Sequence, residues 1–386
     1  SSDVCSSDLF RCVIECRINF LIMKISVYKY KIPFTEPFKI ASGSFQGRKG
    51  ILIALKDKNI DLVAEASPLP GFSVESFDDA YLEITTSLKK WVHYFTSDFT
   101  LESLQYYCSS GKKSPSVNYA LSVLGIGILS SRKQISPGDL LGFSLAEIVN
   151  INAVLGINPV HVMEEDFYHL YKNGYQIFKI KSGSDTRLLF SFLEKACKTE
   201  SDVKFRIDAN QSWNLREAIQ NLKKLEKYPV EYCEEPVPCS DEKLVQKVVA
   251  ETSVPVALDD SLYSVGSPSK LISTGYFKYV IAKPTLIGSV FDLIETIKHA
   301  TNLDCKVILT SAFESHVGIQ NIAFLAALLG ADHLAHGLGT GRIFKENTTV
   351  TQILTKASVE TNELIWSSTS DEINYESLQP GESYEL

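Results

Sequence analysis

The chain has 386 residues, 45% hydrophobic and 22% charged, an ordinary globular balance with length enough for two domains and a sizeable core. Its net charge of −8 is local, because seven acids and no bases follow Lys356 and leave the remainder close to neutral. No basic stripe favours nucleic acid, no apolar run approaches the ~20 residues of a membrane-spanning helix, and eight cysteines without a Cys-x-x-Cys pair read as reduced thiols of a cytoplasmic protein.

In chain order, Ser1-Ser2-Asp3 recurs as Ser6-Ser7-Asp8 and is followed by an apolar stretch too short for a secretory signal core. Residues 1–22 are therefore expected to be extraneous to the fold, with Met23 entering the first strand. Ile25–Tyr30, Arg48–Leu55 and Leu62–Ala66 are rich in β-branched and aromatic residues and predict strands. The segment Ser67-Pro68-Leu69-Pro70-Gly71-Phe72-Ser73 interrupts regular structure. Helical spacing follows from Ala80 and again over Pro115–Ile128. Strands followed by helices predict an α+β capping domain over 23–148, with 345–386 packing back onto it.

From about residue 149 to 344 the pattern changes. Short apolar runs at 151–155, 176–181, 203–208, 230–234, 254–259, 279–283, 305–311 and 332–336 alternate with amphipathic helical stretches. Their ends recur every 24–28 residues, the length of one strand–loop–helix–loop unit. Eight such strands predict a closed, TIM-type (β/α)7β barrel, with little chain left for an eighth helix.

Catalytic groups of such a barrel sit at the carboxyl ends of its strands. Here those ends carry Lys179 and Lys181, Asp208, Glu234, Asp259 and Lys283 in successive units. A single acid at a strand end is commonly a helix cap, but three on consecutive strands suit a hard divalent cation with oxygen ligands. Alternation turns Lys179 and Lys181 to the same side. A lysine beside a dication and a second ammonium loses proton affinity, which suits it to act as a base next to a carboxylate substrate. By the same alternation Glu235 and Asp260 are expected to point away from the ligand side, and His316 and His336 to be local hydrogen-bonding residues.

The pattern Lys179-x-Lys181, Asp208-Ala209-Asn210, Glu234-Glu235-Pro236, Asp259 and Lys283 resembles the enolase superfamily. Within it, Ser67–Ser73, Lys283-Pro284-Thr285-Leu286-x-Gly288-Ser289 and Ser311-Ala312-Phe313-Glu314-Ser315 resemble the o-succinylbenzoate synthase family of menaquinone biosynthesis. The resemblance spans roughly Met23 to Phe344. It implies Mg²⁺, with Mn²⁺ as the alternative, held by Asp208, Glu234 and Asp259. It further implies Lys181 as acid and base in a syn dehydration of 2-succinyl-6-hydroxy-2,4-cyclohexadiene-1-carboxylate, Lys179 as its electrostatic partner, and Lys283 as the stabiliser of an enediolate from the opposite face. Substrate contacts are expected from Pro70, Gly71, Phe72, Ser311, Phe313, Glu314, Ser315 and Arg206, the last lying beneath Asp208. The expected partner is a small carboxylate, met by a monomer or homo-oligomer. Racemisation of N-succinylamino acids and epimerisation of dipeptides are the competing activities. The epimerases of this kind carry an Asp-x-Asp pair after the eighth strand, where this chain has His336-Gly337-Leu338-Gly339-Thr340-Gly341.

Overall fold

A computed structural model describes residues 16–18, 21–40, 43–156, 158–200, 202–264, 268–329, 334–345, 348–349, 356–374, 376, 378 and 384–385. Three long antiparallel strands build the cap sheet: β2 (Leu21–Ile40), β3 (Gly43–Lys56) and β4 (Asp61–Ala66). The expected exclusion of residues 1–22 is only partly open to comparison, since 1–15 and 19–20 lie outside the described residues. Within that stretch β1 (Cys16–Ile18) pairs with the start of β2, Cys16 opposite Met23, so this part does join the sheet.

Helices cover one face of the sheet. The helix Phe77–Thr96 starts where Ser76 and Asp79 cap each other reciprocally, and its Ala80, Ile84, Leu88, Trp91 and Phe95 recur at helical spacing on the buried side. The helix Pro115–Lys133 is buried along most of its length, wedged between cap and barrel. A helix over Leu101–Ser109 escaped the sequence pattern, because its nine residues bury only Leu104 and Cys108.

The barrel is the repeat expected from the strand spacing. Parallel strands β6 (Ala153–Leu155), β7 (Ile177–Lys181), β8 (Lys204–Asp208), β9 (Val230–Glu234), β10 (Val256–Leu258), β11 (Tyr279–Ala282) and β12 (Lys306–Leu309) lie side by side in that order. The first barrel strand starts earlier than expected, as β5 (Ile148–Ile151), and is interrupted at Asn152 before β6. The eighth, β13 (Ala335–His336), closes the ring. It pairs with β5 on one side and meets β12 through Gly337, whose N–H donates to Leu309 O at 2.9 Å and whose carbonyl accepts from Ser311 N at 3.0 Å. A Cβ on Gly337 would fall 2.2 Å from the Thr310 hydroxyl, so the seam requires a glycine.

Among the described residues, no full eighth helix follows. The chain makes a 3₁₀ turn at Gly339–Ile343, and Phe344 then bridges to Phe34 of the cap. Farther on, β14 (Ser358–Glu360) pairs with β5, Ser368 bridges to Val63, and the Trp366 indole donates to Val123 O at 2.9 Å. The C-terminal segment thus returns to complete the cap. Among the described residues, no helix is long and apolar enough to cross a membrane.

Candidate active site

The barrel mouth opens beneath the cap loop, and its cavity is lined by Lys179, Lys181, Asp208, Asn210, Asp259, Asp260, Lys283, Thr310 to Phe313, Asn152, Val154, Leu69, Phe72 and the Gly337–Ile343 turn. Strand register explains the gathering. Lys181 pairs with Asp208 and Asp208 with Glu234, so three charged ends stand level across β7, β8 and β9. Lys181 on the second strand and Lys283 after the sixth stand four strands apart, on opposite sides of the ring.

The carboxylates are buried, with Glu234 1% exposed, Asp208 5% and Asp259 6%. Each faces a lysine. Lys179 Nζ lies 3.0 Å from Asp208 and 2.5 Å from Glu234. Lys283 Nζ lies 2.5 Å from Asp259 and 2.9 Å from Asp260, with the Phe72 and Tyr263 rings 5.7 and 5.3 Å away. Tyr263 also fixes the start of that loop, its hydroxyl accepting from Lys283 N at 2.6 Å and donating to Ile281 O at 3.0 Å.

These neighbours set the protonation states. Burial, reinforced by the neighbouring acids Asp208 and Asp259, pushes Glu234 up to about 8, and burial with Asp260 beside it pushes Asp259 up to about 6. Burial also pulls at Lys179 and Lys283, but their acid partners outweigh it and hold both well above the ordinary lysine value. Lys181 goes the other way. Burial and the ammonium groups of Lys179 and Lys283 outweigh the pull of Asp208 and Glu234 and lower it. The site therefore contains one lysine tuned toward giving up its proton, beside two that hold theirs.

Among the described residues, no three Asp, Glu, His or Cys side chains converge as a metal-holding group, since the carboxylates turn to the lysines. The donor set nevertheless fits a hard cation. It consists of oxygen only, it comes from three adjacent strand ends, and burial with mutual repulsion raises the proton affinity of Glu234 and Asp259, a crowding of negative charge that a cation would relieve.

Several expected contacts lie elsewhere. Pro70 and Gly71 are exposed and occupy the two central positions of a turn closed by Phe72 N donating to Leu69 O at 3.1 Å. Gly71 has φ 83°, which such a turn demands after proline, so this pair aims Leu69 and Phe72 into the cavity without lining it. Glu314 is fully buried, accepting from Thr285 at 2.6 Å, from Ser311 at 2.6 Å and from Ala312 N at 2.6 Å. Ser315 is buried against Glu65 of the cap. Arg206 is a strut in the barrel interior, bonded to Glu231 at 2.6 Å, Asn152 at 3.0 Å and Ala335 O at 2.7 Å. Two residues down a strand from the mouth, it faces inward but one layer too deep. Asp260 corrects the expectation in the opposite sense. Strand β10 ends at Leu258, alternation ends with it, and the turn into the helix Ser261–Ser264 brings Asp260 to Lys283. Glu235 does point away. It accepts from Asp259 N, Ser261 N and Ser261 Oγ at 3.0, 3.0 and 2.7 Å, tying the fourth strand end to the fifth from a left-handed backbone conformation of φ 42°. His336 accepts from Leu309 N at 3.0 Å inside the barrel, while His316 Nδ1 is buried without a partner among the described residues.

Two cap residues carried no sequence signal. Arg48 is buried and grips carbonyls of both mouth loops, donating to Ser67 O at 2.5 Å, to Pro68 O and to Phe313 O at 3.1 Å. Glu65 accepts from Tyr30 at 2.6 Å and from Ser315 N and Gly318 N at 3.0 Å each, at the start of the barrel helix His316–Leu329. Both act between segments far apart in sequence.

Residues 163–360 match the family model Enolase C-terminal domain-like, and residues 22–125 match that of the MenC N-terminal domain. The chain belongs to the enolase superfamily. This superfamily member is 23% identical to an o-succinylbenzoate synthase of Vibrio cholerae, over 89% of this chain and 98% of that one. It is 24% identical to a D-Ala-D/L-Ala epimerase of Cytophaga hutchinsonii, over 82% and 83%. Its fold matches an N-succinyl Arg/Lys racemase of Bacillus cereus with a TM-score of 0.77 and 19% identity, covering 92% of this chain and 96% of that one.

Proposed function

We propose that this superfamily enzyme is a Mg²⁺-dependent carbon–oxygen lyase of the o-succinylbenzoate synthase type, converting 2-succinyl-6-hydroxy-2,4-cyclohexadiene-1-carboxylate into 2-succinylbenzoate and water. The observation that carries the proposal is the pairing of two opposed lysines with a far cavity wall that, among the described residues, holds no acid: Thr310 to Phe313, the Gly337–Ile343 turn, Asn152 and Val154. An ammonium-bearing dipeptide would find no counter-charge there. The match to the MenC N-terminal domain supports the same substrate class.

Lys181 takes the proton α to the carboxylate, its lowered affinity matching the task. The C–H electron pair first delocalises into the carboxylate as an enediolate and then forms the new ring double bond as the C–O bond breaks, and Lys181 returns the proton to the departing hydroxyl on the same face. Lys283, held protonated by Asp259 and Asp260, stabilises the enediolate from the other face. Lys179 stays charged between Asp208 and Glu234 and keeps Lys181 from holding its proton too tightly. Mg²⁺, or Mn²⁺, bound by Asp208, Glu234 and Asp259 would supply positive charge to the substrate carboxylate.

Racemisation of N-succinylamino acids is the second reading, because a lysine on each face also suits a 1,1-proton transfer. Dehydration and α-deuterium incorporation from D₂O are to be measured side by side on the cyclohexadiene substrate and on N-succinylamino acids. Faster dehydration, abolished by EDTA and restored by Mg²⁺, is expected. Full activity in EDTA, or exchange faster than dehydration, would overturn the proposal.

A further inference from the structure

The ring sets two crossing diameters. Lys181 and Lys283 define one, at the second and sixth strands. Glu234 at the fourth strand faces the eighth, β13, and its Gly337–Ile343 turn. A substrate long enough to cross the mouth from the Asp208–Glu234–Asp259 side reaches that turn with its other end.

Most polar groups on this far wall are already committed. The Thr310 hydroxyl donates to Gly337 O at 3.0 Å, and Ser311 donates to Glu314 at 2.6 Å. Asn152 accepts from Arg206 with its oxygen at 3.0 Å and donates to Ala153 O at 3.1 Å. Thr340 differs. It lines the cavity, yet its hydroxyl oxygen is shielded from solvent and, among the described residues, has no hydrogen-bond partner. Buried hydroxyls are rarely left so, because an unmet donor forfeits what water would have given it. Rotation about its Cα–Cβ bond can turn the hydroxyl toward the cavity without breaking any bond. The flanking glycines hold the turn close to its surroundings: a Cβ on Gly339 would lie 3.4 Å from Asn152 O, and one on Gly341 would lie 3.2 Å from His316 Nε2. Among the lining residues of this tight turn, Thr340 is the one whose side chain can hydrogen-bond, beside the apolar Ile343.

We infer that Thr340 is a specificity-determining residue whose hydroxyl donates a hydrogen bond to a carbonyl or carboxylate oxygen at the end of the substrate remote from the reacting carboxylate. The inference rests on the function proposed above and names the group that recognises the distal oxygen. A hydroxyl can also accept from an ammonium, but among the described residues no acid on this wall would balance that charge.

Calorimetric titration of the Mg²⁺-supplemented protein with 2-succinylbenzoate and with benzoate separates the two ideas. Wild type should bind 2-succinylbenzoate more tightly than benzoate. Thr340→Val should weaken 2-succinylbenzoate about tenfold, the worth of one hydrogen bond, while benzoate is unchanged and Thr340→Ser stays within about threefold of wild type. Wild type that does not prefer 2-succinylbenzoate would overturn the proposed function and this inference with it. Preference in wild type that persists in Thr340→Val, or an equal loss for both ligands, would overturn the inference alone. A melting curve for each variant shows that it is folded, and Thr340→Ala replaces the valine variant if that one is not.

Discussion

The two halves of the barrel mouth contrast sharply. From β7 round to β11 every strand end carries a charge, and the six charged groups named in the sequence crowd together: Lys179 with Asp208 and Glu234, Lys283 with Asp259 and Asp260, and Lys181 in register with Asp208. From β12 through β13 to β6 the lining is hydroxyl, amide, glycine and apolar side chain, with the cap's Leu69 and Phe72 above it. Proton transfer needs groups whose affinities are pushed apart, and only charge and burial at close quarters do that. Recognition of a particular substrate needs shape and a few aimed donors. One half is thus built for moving a proton, and the other for fitting a substrate.

Substitutions on the charged half should therefore change kcat, and those on the neutral half KM. Lys181→Ala carries the largest effect, with kcat reduced about 10³-fold, the usual worth of a positioned general base, and KM nearly constant in steady-state assays. A large rise in KM with kcat intact would break the division. Asp260→Asn should lower kcat about tenfold, because Lys283 keeps Asp259 but loses its second anchor. Unchanged kinetics would return Asp260 to the outer role that alternation assigned it.

Beneath the neutral half, burial and then the nearby Arg206 push His336 down to about 3. Its folded affinity lies below the unfolded one, so its contribution is complete above about pH 6.5 and is lost as pH falls toward 3, with a slope near ~1.4 kcal/mol per pH unit. Urea unfolding at pH 7, 6 and 5 should show this loss, and His336→Asn, which keeps an acceptor for Leu309 N, should flatten it. Ser311→Ala has the smallest expected effect, a change in KM of no more than about threefold, since its hydroxyl already serves Glu314.

The same contrast governs what could be read from the chain. Strand spacing and strand-end charges revealed the barrel and the carboxylate–lysine network, because both follow from local periodicity. Arg206 obeyed alternation, yet its depth below the mouth is a tertiary fact. Glu314 and Ser315 sit in a motif beside the cavity, but tight hydrogen bonds at the start of a helix turn them inward. Asn152 and Thr340 stand at a strand break and in a glycine-rich turn, where no period applies. Arg48 and Glu65 reach partners hundreds of residues away, and nothing near them in sequence announces it.

Glu65 has a consequence for how such enzymes diverge. Its carboxylate joins Tyr30 of the cap to Ser315 and Gly318 of the barrel, and a Cβ on Gly318 would meet that carboxylate at 3.0 Å as well as the Glu314 side chain. A cap without a carboxylate at this place would therefore not fit this barrel. Cap and barrel are a pair of fitted surfaces, and a cap strand exchanged without its counterpart leaves three donors, Ser315 N, Ser315 Oγ and Gly318 N, facing nothing.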